Sequence, residues 1–304
     1  MTHAPANAGR LILLSVWAAL FWALLAIGWG LAVGSQMIVF DGLYSLISVL
    51  LSLLSLLAYR IIRKGQSKRF PFGRDVLEPL TIVVKAVAIG SLCVYALTVA
   101  VMELLTGGRE VAAGWAVAYA AAATVGCGLV SGYLYRKQRT LRSDLVRAET
   151  TQWLLDTVLS AGVLVGFIVA VVLERTGHDA VAAYIDPAMV TLVCLLFLAM
   201  PVRLLLQGFR EILTMAPPAD LEQRVRDCVD GVERRHGFTG SYLRSTKVGG
   251  QLVVEVDFIV GGETRARNVE SLDVIRQEIT DDLADLGYEL WLSASFTTDP
   301  RWAE

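Results

Sequence analysis

The sequence predicts a membrane protein, with a bundle of six transmembrane helices followed by a small α+β domain. The 304 residues are 55% hydrophobic and have a mean hydropathy of +0.56, which soluble domains of this size rarely reach. The apolar residues form six blocks, each long enough to cross the hydrocarbon core of a bilayer. Of the 29 acidic residues, 18 follow residue 209, where these blocks stop.

Polar or glycine-containing breaks separate the six predicted spans. The spans cover residues 11–33, 37–59, 77–105, 111–135, 146–173 and 181–207. We expect the first block to be a retained helix, because it is too long for the apolar region of a signal peptide and no convincing cleavage site follows it. Residues 1–208 are therefore predicted to form the transmembrane domain, and residues 209–304 a cytoplasmic domain.

The distribution of basic residues predicts the orientation in the membrane. The second and the fourth loops carry almost all the basic residues found in loops. These are Arg60, Arg63, Lys64, Lys68, Arg69 and Arg74 in the second, and Arg136, Lys137, Arg139 and Arg142 in the fourth. Loops rich in Lys and Arg stay in the cytoplasm, so both termini are expected there, in the inner (plasma) membrane. Because the basic residues lie in these short loops, the sequence gives no sign of a nucleic-acid partner.

The last third of the chain has the pattern of a small helix-covered sheet. Residues 219–236 predict an amphipathic helix and residues 251–260 a strand, in which Glu255 and Asp257 are expected to lie on a solvated face opposite the apolar residues. A shorter strand at 241–247 precedes Gly249-Gly250, which is a hairpin signal. A helix at 268–286 and a strand at 288–296 complete the order α-β-β-α-β, which predicts a split, ferredoxin-like α+β arrangement.

Polar residues inside the predicted spans are the first candidates for function, because ionisable groups at bilayer depth are costly. Asp41, Tyr44, Ser45 and Ser48 share one face of the second span, through spacings of three, four and seven residues. On the fifth span, Glu149, Gln152 and Asp156 have the same spacing. The two spans run in opposite directions, so oxygen ligands could step across the membrane as a cation path requires. Alternatively, such groups hydrogen-bond between helices and only hold the bundle together.

Lys85 and Glu149 are candidates for proton transfer or charge compensation. Lys85 lies about nine residues into its helix, too deep for easy access to the interface. It could pair with a buried carboxylate, be held neutral, or face a water-filled crevice, and the sequence leaves these three alternatives open.

The cysteines and histidines do not form a pattern that indicates a cofactor or an enzyme. Cys93, Cys127, Cys194 and Cys228 are scattered without a CxxC pair, as expected of small buried apolar side chains. The three histidines lie in separate regions, and no set of nucleophile, base and acid is visible. We therefore expect neither enzymatic activity nor a bound cofactor.

Four segments, in this order and spacing, resemble the cation diffusion facilitator family. They are Phe-Asp-Gly-Leu-Tyr-Ser-Leu on the second span, the loop segment Phe70–Pro79, Arg147-Ala-Glu with Asp156 on the fifth span, and Asp186-Pro187 opening the sixth. The resemblance implies a homodimer that exports a divalent cation in exchange for protons, with a tail that dimerises and often senses metal. Because the tail has His236 as its one histidine, we do not expect a multi-histidine sensor site.

The resemblance also implies a metal site, which in this sequence departs from the family pattern. Members carry a His- or Asp-x-x-x-Asp pair on the second span and another on the fifth. The matching positions here are Tyr44 and Ser48, then Gln152 and Asp156, so that Asp156 alone keeps its identity. Together with Asp41 these residues offer mainly oxygen atoms, which suit Mn²⁺ or Mg²⁺ better than zinc.

Two hypotheses follow for the function. In the first, the chain is a proton-coupled exporter of divalent cations with altered selectivity. In the second, it is a non-transporting relative that serves as an assembly partner or scaffold, which the loss of ligands would also explain. Flux by the purified protein that depends on Asp156 would distinguish the first hypothesis from the second.

Overall fold

A computed structural model of the protein confirms an all-α bundle followed by a small mixed domain. It describes the backbone of residues 6–141, 144–266 and 268–303, and the side chains of residues 13–137, 150–266 and 268–303. Six of the described helices are long and apolar enough to cross a membrane. The prediction of six spans is therefore confirmed.

Seven helices precede the tail in the described part of the chain. They are α1 (Ala6–Val33), α2 (Gln36–Ile62), α3 (Leu77–Thr106), α4 (Ala113–Leu141), α5 (Asp144–Arg175), the four-residue α6 (Asp179–Ala182) and α7 (Ile185–Ile212). By packing, the chain forms two compact units. One contains the residues up to Leu53 and Lys85–Val202, and the other contains Leu54–Val84 and Arg203–Glu304. The predicted boundary between residues 208 and 209 stays a prediction.

The N-terminus of α2 is capped by a carboxylate from another span. Asp186 on α7 is buried and accepts hydrogen bonds from the Ser35 hydroxyl (2.6 Å) and from the backbone N–H groups of Gln36 (2.8 Å) and Met37 (3.3 Å). Ser35 in turn accepts from the N–H of Ile38 at 3.1 Å. These are the N–H groups that a helix start leaves without an internal partner, and a carboxylate also favours the positive end of the helix dipole. The cap therefore fixes where α2 begins relative to α7.

Close contact between α1 and α2 depends on Gly42, which directly follows Asp41. A Cβ atom at this position would lie 2.8 Å from the Ala23 carbonyl oxygen, the Ala26 Cβ and a side-chain carbon of Ile27. Small residues let helix backbones approach closely in membranes, where packing contacts drive association. The glycine therefore sets the distance between α1 and the part of α2 that carries the polar residues.

The tail has the predicted order of elements. Helix α8 (Ala219–His236) precedes strands β1 (Gly240–Val248) and β2 (Gln251–Ile259), and helix α9 (Val269–Asp282) precedes strand β3 (Glu289–Thr297). The sheet order is β1-β2-β3, with β1 antiparallel and β3 parallel to β2. The predicted Gly249-Gly250 hairpin is present, and the apolar face of β2 is fully buried, through Leu252, Val254, Val256 and Phe258.

Two local predictions for the tail are wrong. The second helix was expected to reach residue 286, but α9 ends at Asp282 and a 3₁₀ turn follows at Ala284–Leu286 before Gly287, whose φ is +74°. Asp257, expected on a solvated face with Glu255, is 7% exposed and pairs with Arg244 at 3.0 Å. Arg244 also donates to the Ala303 carbonyl at 2.8 Å, so the chain end covers this carboxylate.

A buried carboxylate joins the end of α7 to the β1–β2 hairpin. Glu211, on the last turn of α7, accepts hydrogen bonds from Lys247 Nζ at 2.8 Å and from the Gly249 N–H at 2.9 Å. The Glu211 and Lys247 side chains are 9% and 17% exposed, so the pair is largely shielded from water. Separating the partners of such a pair is unfavourable, because each would leave an uncompensated charge in a buried position.

The Asp186 cap predicts a stability effect. Replacing Asp186 with Ala should lower the free energy of unfolding by about 1–3 kcal/mol, because the donors of Ser35, Gln36 and Met37 lose their buried acceptor. Thermal unfolding of the purified protein in detergent measures this loss. Asp179→Ala is the matched control, since Asp179 is exposed at the start of the short helix α6. Equal melting temperatures for the two variants would contradict the cap.

Gly42→Ala should also destabilise the protein, by about 1–3 kcal/mol, because overpacking forces the two helices apart. Gly132→Ala in α4 is the control, since nothing lies within 4 Å of a Cβ at that position. Alanine has the higher helix propensity, so the control should be neutral or slightly stabilising. The same unfolding measurement applies, and a Gly42→Ala protein as stable as the wild type would exclude the proposed close contact.

Acid should loosen the contact between α8 and α9. Burial acts to raise the pKa of Glu278, but hydrogen bonds with His236 (2.8 Å) and Arg235 (2.6 Å) outweigh it and hold the pKa below its ordinary value of 4.5. A depressed carboxyl pKa contributes stability at pH values above 4.5, and this contribution is lost as the pH falls through 4.5 and below. Hydrogen exchange of α9 in the full chain should therefore accelerate on acidification.

Glu278→Gln should remove most of this pH dependence, because the amide does not titrate. Glu270→Gln is the control, since Glu270 is exposed on the same helix and forms no ion pair among the described side chains. If both variants kept the wild-type pH profile of exchange, Glu278 would not be the responsible group.

Candidate cation site

The polar residues of α2 divide between two neighbouring surfaces. Tyr44 and Ser48, one turn apart, form a side-chain hydrogen bond. The Tyr44 ring packs against Phe197 of α7, with 5.4 Å between ring centroids, and stacks on Phe40 at 6.3 Å. Ser45 is half-buried on the same helix. The phenol and the hydroxyl are thus held in place by aromatic packing between α2 and α7.

Asp41 lines a narrow cavity between α2, α4 and α5. The cavity has a volume of about 10 Å³, which is room for about one water molecule. Polar groups from three helices reach it: Asp41 from α2, Tyr119 from α4 and Ser160 from α5. Asp41 and Tyr119 are also electrostatic neighbours. The remaining lining is apolar, and consists of Met37, Ile38, Ala120, Ala123, Leu159 and Val163.

Asp156 on α5 lies close to both groups of residues. It is half-buried and interacts electrostatically with Tyr44 and with Cys127 of α4. Asp41 interacts with the same cysteine, which also hydrogen-bonds with Ser160. Asp41 and Asp156 are therefore both neighbours of Cys127, and Asp156 is also a neighbour of Tyr44.

Three other residues singled out from the sequence have different surroundings. Gln152 is exposed on α5, one turn from Asp156. Glu149 belongs to α5, but its side chain lies outside the described residues. Lys85 is half-buried on α3 and makes no ion pair within the described part of the chain. Pairing of Lys85 with a buried carboxylate such as Asp41 or Asp156, one of the three alternatives left open by the sequence, is therefore not among the contacts that the structure describes.

The arrangement can offer oxygen atoms to a cation one or two at a time. Among the described side chains, no group of three or more His, Cys, Asp or Glu residues has the geometry to hold a metal ion. The carboxylate, phenol and hydroxyl oxygens present are ligands of the kind that hard cations take, usually together with water.

Sequence analysis did not identify Tyr119, Cys127 and Ser160 as neighbours of the carboxylates. The spacing of Cys127 and Ser160 within their own helices carries no signal, because it is the packing of α4 on α5 that brings them together. Tyr119 could have been noticed as a polar ring deep in an alanine-rich span, where a phenol needs a partner.

Comparison with known protein families gives one match, which covers most of the membrane bundle. The cation efflux transmembrane domain matches residues 12–213, two thirds of the chain. A comparison with curated proteins gave no match. The matched range contains all six spans with their buried carboxylates, so the chain belongs to the cation efflux family of metal cation transporters.

Proposed function

We propose that this protein is a proton-coupled antiporter that exports a divalent metal cation from the cytoplasm as a homodimer. It would lie in the inner (plasma) membrane with both termini in the cytoplasm, as the basic second and fourth loops favour. The observation that carries the proposal is that two acidic residues of the spans, Asp41 on α2 and Asp156 on α5, are both electrostatic neighbours of Cys127, and that Asp41 lines the cavity between α2, α4 and α5.

The chemistry of these groups supports cation transport rather than tight cation storage. Acidic residues inside membrane spans often mark ion and proton pathways, because their burial in the bilayer is costly. Asp156 is the one ligand position that keeps the family residue, and it is adjacent to the hydrogen-bonded pair Tyr44 and Ser48. A carboxylate that binds a cation in one step can take up a proton in the next, which is the exchange that antiport requires.

The ligand types favour a hard cation. Asp41, Tyr44, Ser48 and Asp156 supply oxygen atoms, whereas zinc sites in proteins use imidazole and thiolate in tetrahedral geometry. Gln152 could add an amide oxygen if α5 rotates, since it lies one turn from Asp156. Mn²⁺ and Mg²⁺ match this set best. Lys85 is proposed to compensate the negative charge when the site is empty, and Glu149 to take part in proton transfer.

Flux measurements test the proposal directly. The purified protein is reconstituted into liposomes under a pH gradient, and uptake of Mn²⁺, Mg²⁺, Fe²⁺, Co²⁺ and Zn²⁺ is compared. We expect saturable flux that is highest for a hard cation. Asp156→Asn should lower this flux at least as much as loss of a residue that supports a metal ligand does, which is roughly 10- to 100-fold. The reason is that the charge that binds the cation is gone. Asp179→Asn, at an exposed position, is the control.

Two outcomes would contradict the proposal. Equal flux for the wild type and Asp156→Asn with every ion would show that the buried carboxylate does not carry the cation. Absence of flux for all five ions, in a protein that is folded and reconstituted, would instead favour the non-transporting assembly partner.

A further inference from the structure

Two buried thiols from different spans meet inside the bundle. Cys93 of α3 and Cys194 of α7 are both fully buried, and their side chains hydrogen-bond to each other. Both belong to the same apolar cluster. Close packing of α3 on α7 continues away from the pair, because the Cβ of Pro201 lies 3.6 Å from where a Cβ of Gly90 would be. The contact between the thiols is therefore part of a helix–helix interface.

The pair adjoins the polar residues of α2. Cys93 is an electrostatic neighbour of Tyr44, and the Tyr44 ring packs on Phe197, which lies one turn from Cys194. The thiols therefore lie beside the oxygen donors of α2, although they are shielded from the surface. The four cysteines are free, so no disulfide occupies the sulfurs.

We propose that Cys93 and Cys194 form a two-coordinate site for a thiophilic divalent cation such as Hg²⁺. This site is separate from the oxygen-lined path, and it does not depend on the transport proposed above.

Charge balance selects a divalent ion. Each thiol loses its proton to become the thiolate that binds metal, so that Hg²⁺ and two thiols give a neutral dithiolate and two released protons. A monovalent ion in the same position would leave a net negative charge in the apolar interior, which is costly. The neutral complex is therefore favoured over the complexes of Cu⁺ or Ag⁺.

Geometry selects an ion that accepts two ligands. Two thiols already in contact need only a small separation to admit an ion with metal–sulfur bonds of about 2.3 Å. Zinc requires four ligands, and no third His, Cys, Asp or Glu joins the pair in a metal-binding group among the described side chains. An ion with a linear preference needs no more than the two sulfurs.

Two double variants with equal numbers of thiols test the proposal. Cys127→Ser/Cys228→Ser keeps the pair, whereas Cys93→Ser/Cys194→Ser keeps two cysteines outside it. Each reduced, purified protein is titrated with Hg²⁺ in detergent in the presence of excess monothiol, and the ultraviolet sulfur-to-mercury charge-transfer band is recorded. Two thiols held together act as a chelate at high effective concentration, so the pair should retain one Hg²⁺ per chain against the competitor.

We expect the variant that keeps the pair to show the wild-type band, and the variant without the pair to lose Hg²⁺ to the monothiol. Cys93→Ser and Cys194→Ser introduced singly should each abolish retention, because both sulfurs are needed. Unfolding curves of all variants verify that each protein is folded, and Cys93→Ala/Cys194→Ala replaces the serine variant if serine unfolds it. Equal retention of Hg²⁺ by the two double variants, or equal loss from both, would overturn the proposal.

Discussion

The cap that Asp186 places on the start of α2 determines where the polar residues of this helix lie. A helix that begins inside a bundle has N–H groups that lipid cannot satisfy, and here a carboxylate from α7 accepts from two of them and from Ser35. Since a helix is rigid over a few turns, fixing its first residues also fixes the rotation and depth of those that follow. Asp41 is thereby turned towards α4 and α5, and Tyr44 towards α7.

The interior contains donor atoms of two chemical kinds in adjacent regions. Oxygen atoms from α2, α4 and α5 line a cavity with room for about one water, whereas sulfur atoms from α3 and α7 lie in an apolar cluster. Water near the carboxylates can complete the shell of a hard ion, and its exclusion near the thiols favours a soft one. The proposed oxygen-lined site and the proposed thiol site would therefore select hard and soft cations, respectively, within the same bundle.

Hydropathy and periodicity were enough to predict the spans, the order of elements in the tail and the proximity of Tyr44 and Ser48 on α2. The spans follow because lipid admits only helices or closed barrels, so an apolar block of about 20 residues has few alternatives. Spacing also placed Tyr44 and Ser48 together correctly. It could not show that Asp41, three residues earlier, lines a different surface, because a helix face is wide enough to contact two neighbouring helices.

Contacts between distant segments were beyond the reach of sequence patterns. From the sequence the four cysteines are alike as small apolar side chains, and this explains why all four are buried. That Cys93 and Cys194 are neighbours depends on how α3 packs on α7. Asp257 alternates with buried residues as a solvated residue would, yet the chain end returns through Arg244 to cover it. In both cases the decisive partner lies more than ten positions away, where local periodicity gives no information.

The buried pair of Glu211 and Lys247 has a mechanical consequence. The last turn of α7 holds the β1–β2 hairpin through Lys247 Nζ and the Gly249 N–H, so that two directional bonds fix both the position and the tilt of the hairpin. Because of this linkage, a rotation of the end of α7 would move the β1–β2 hairpin with it, and with the hairpin the strands of the sheet.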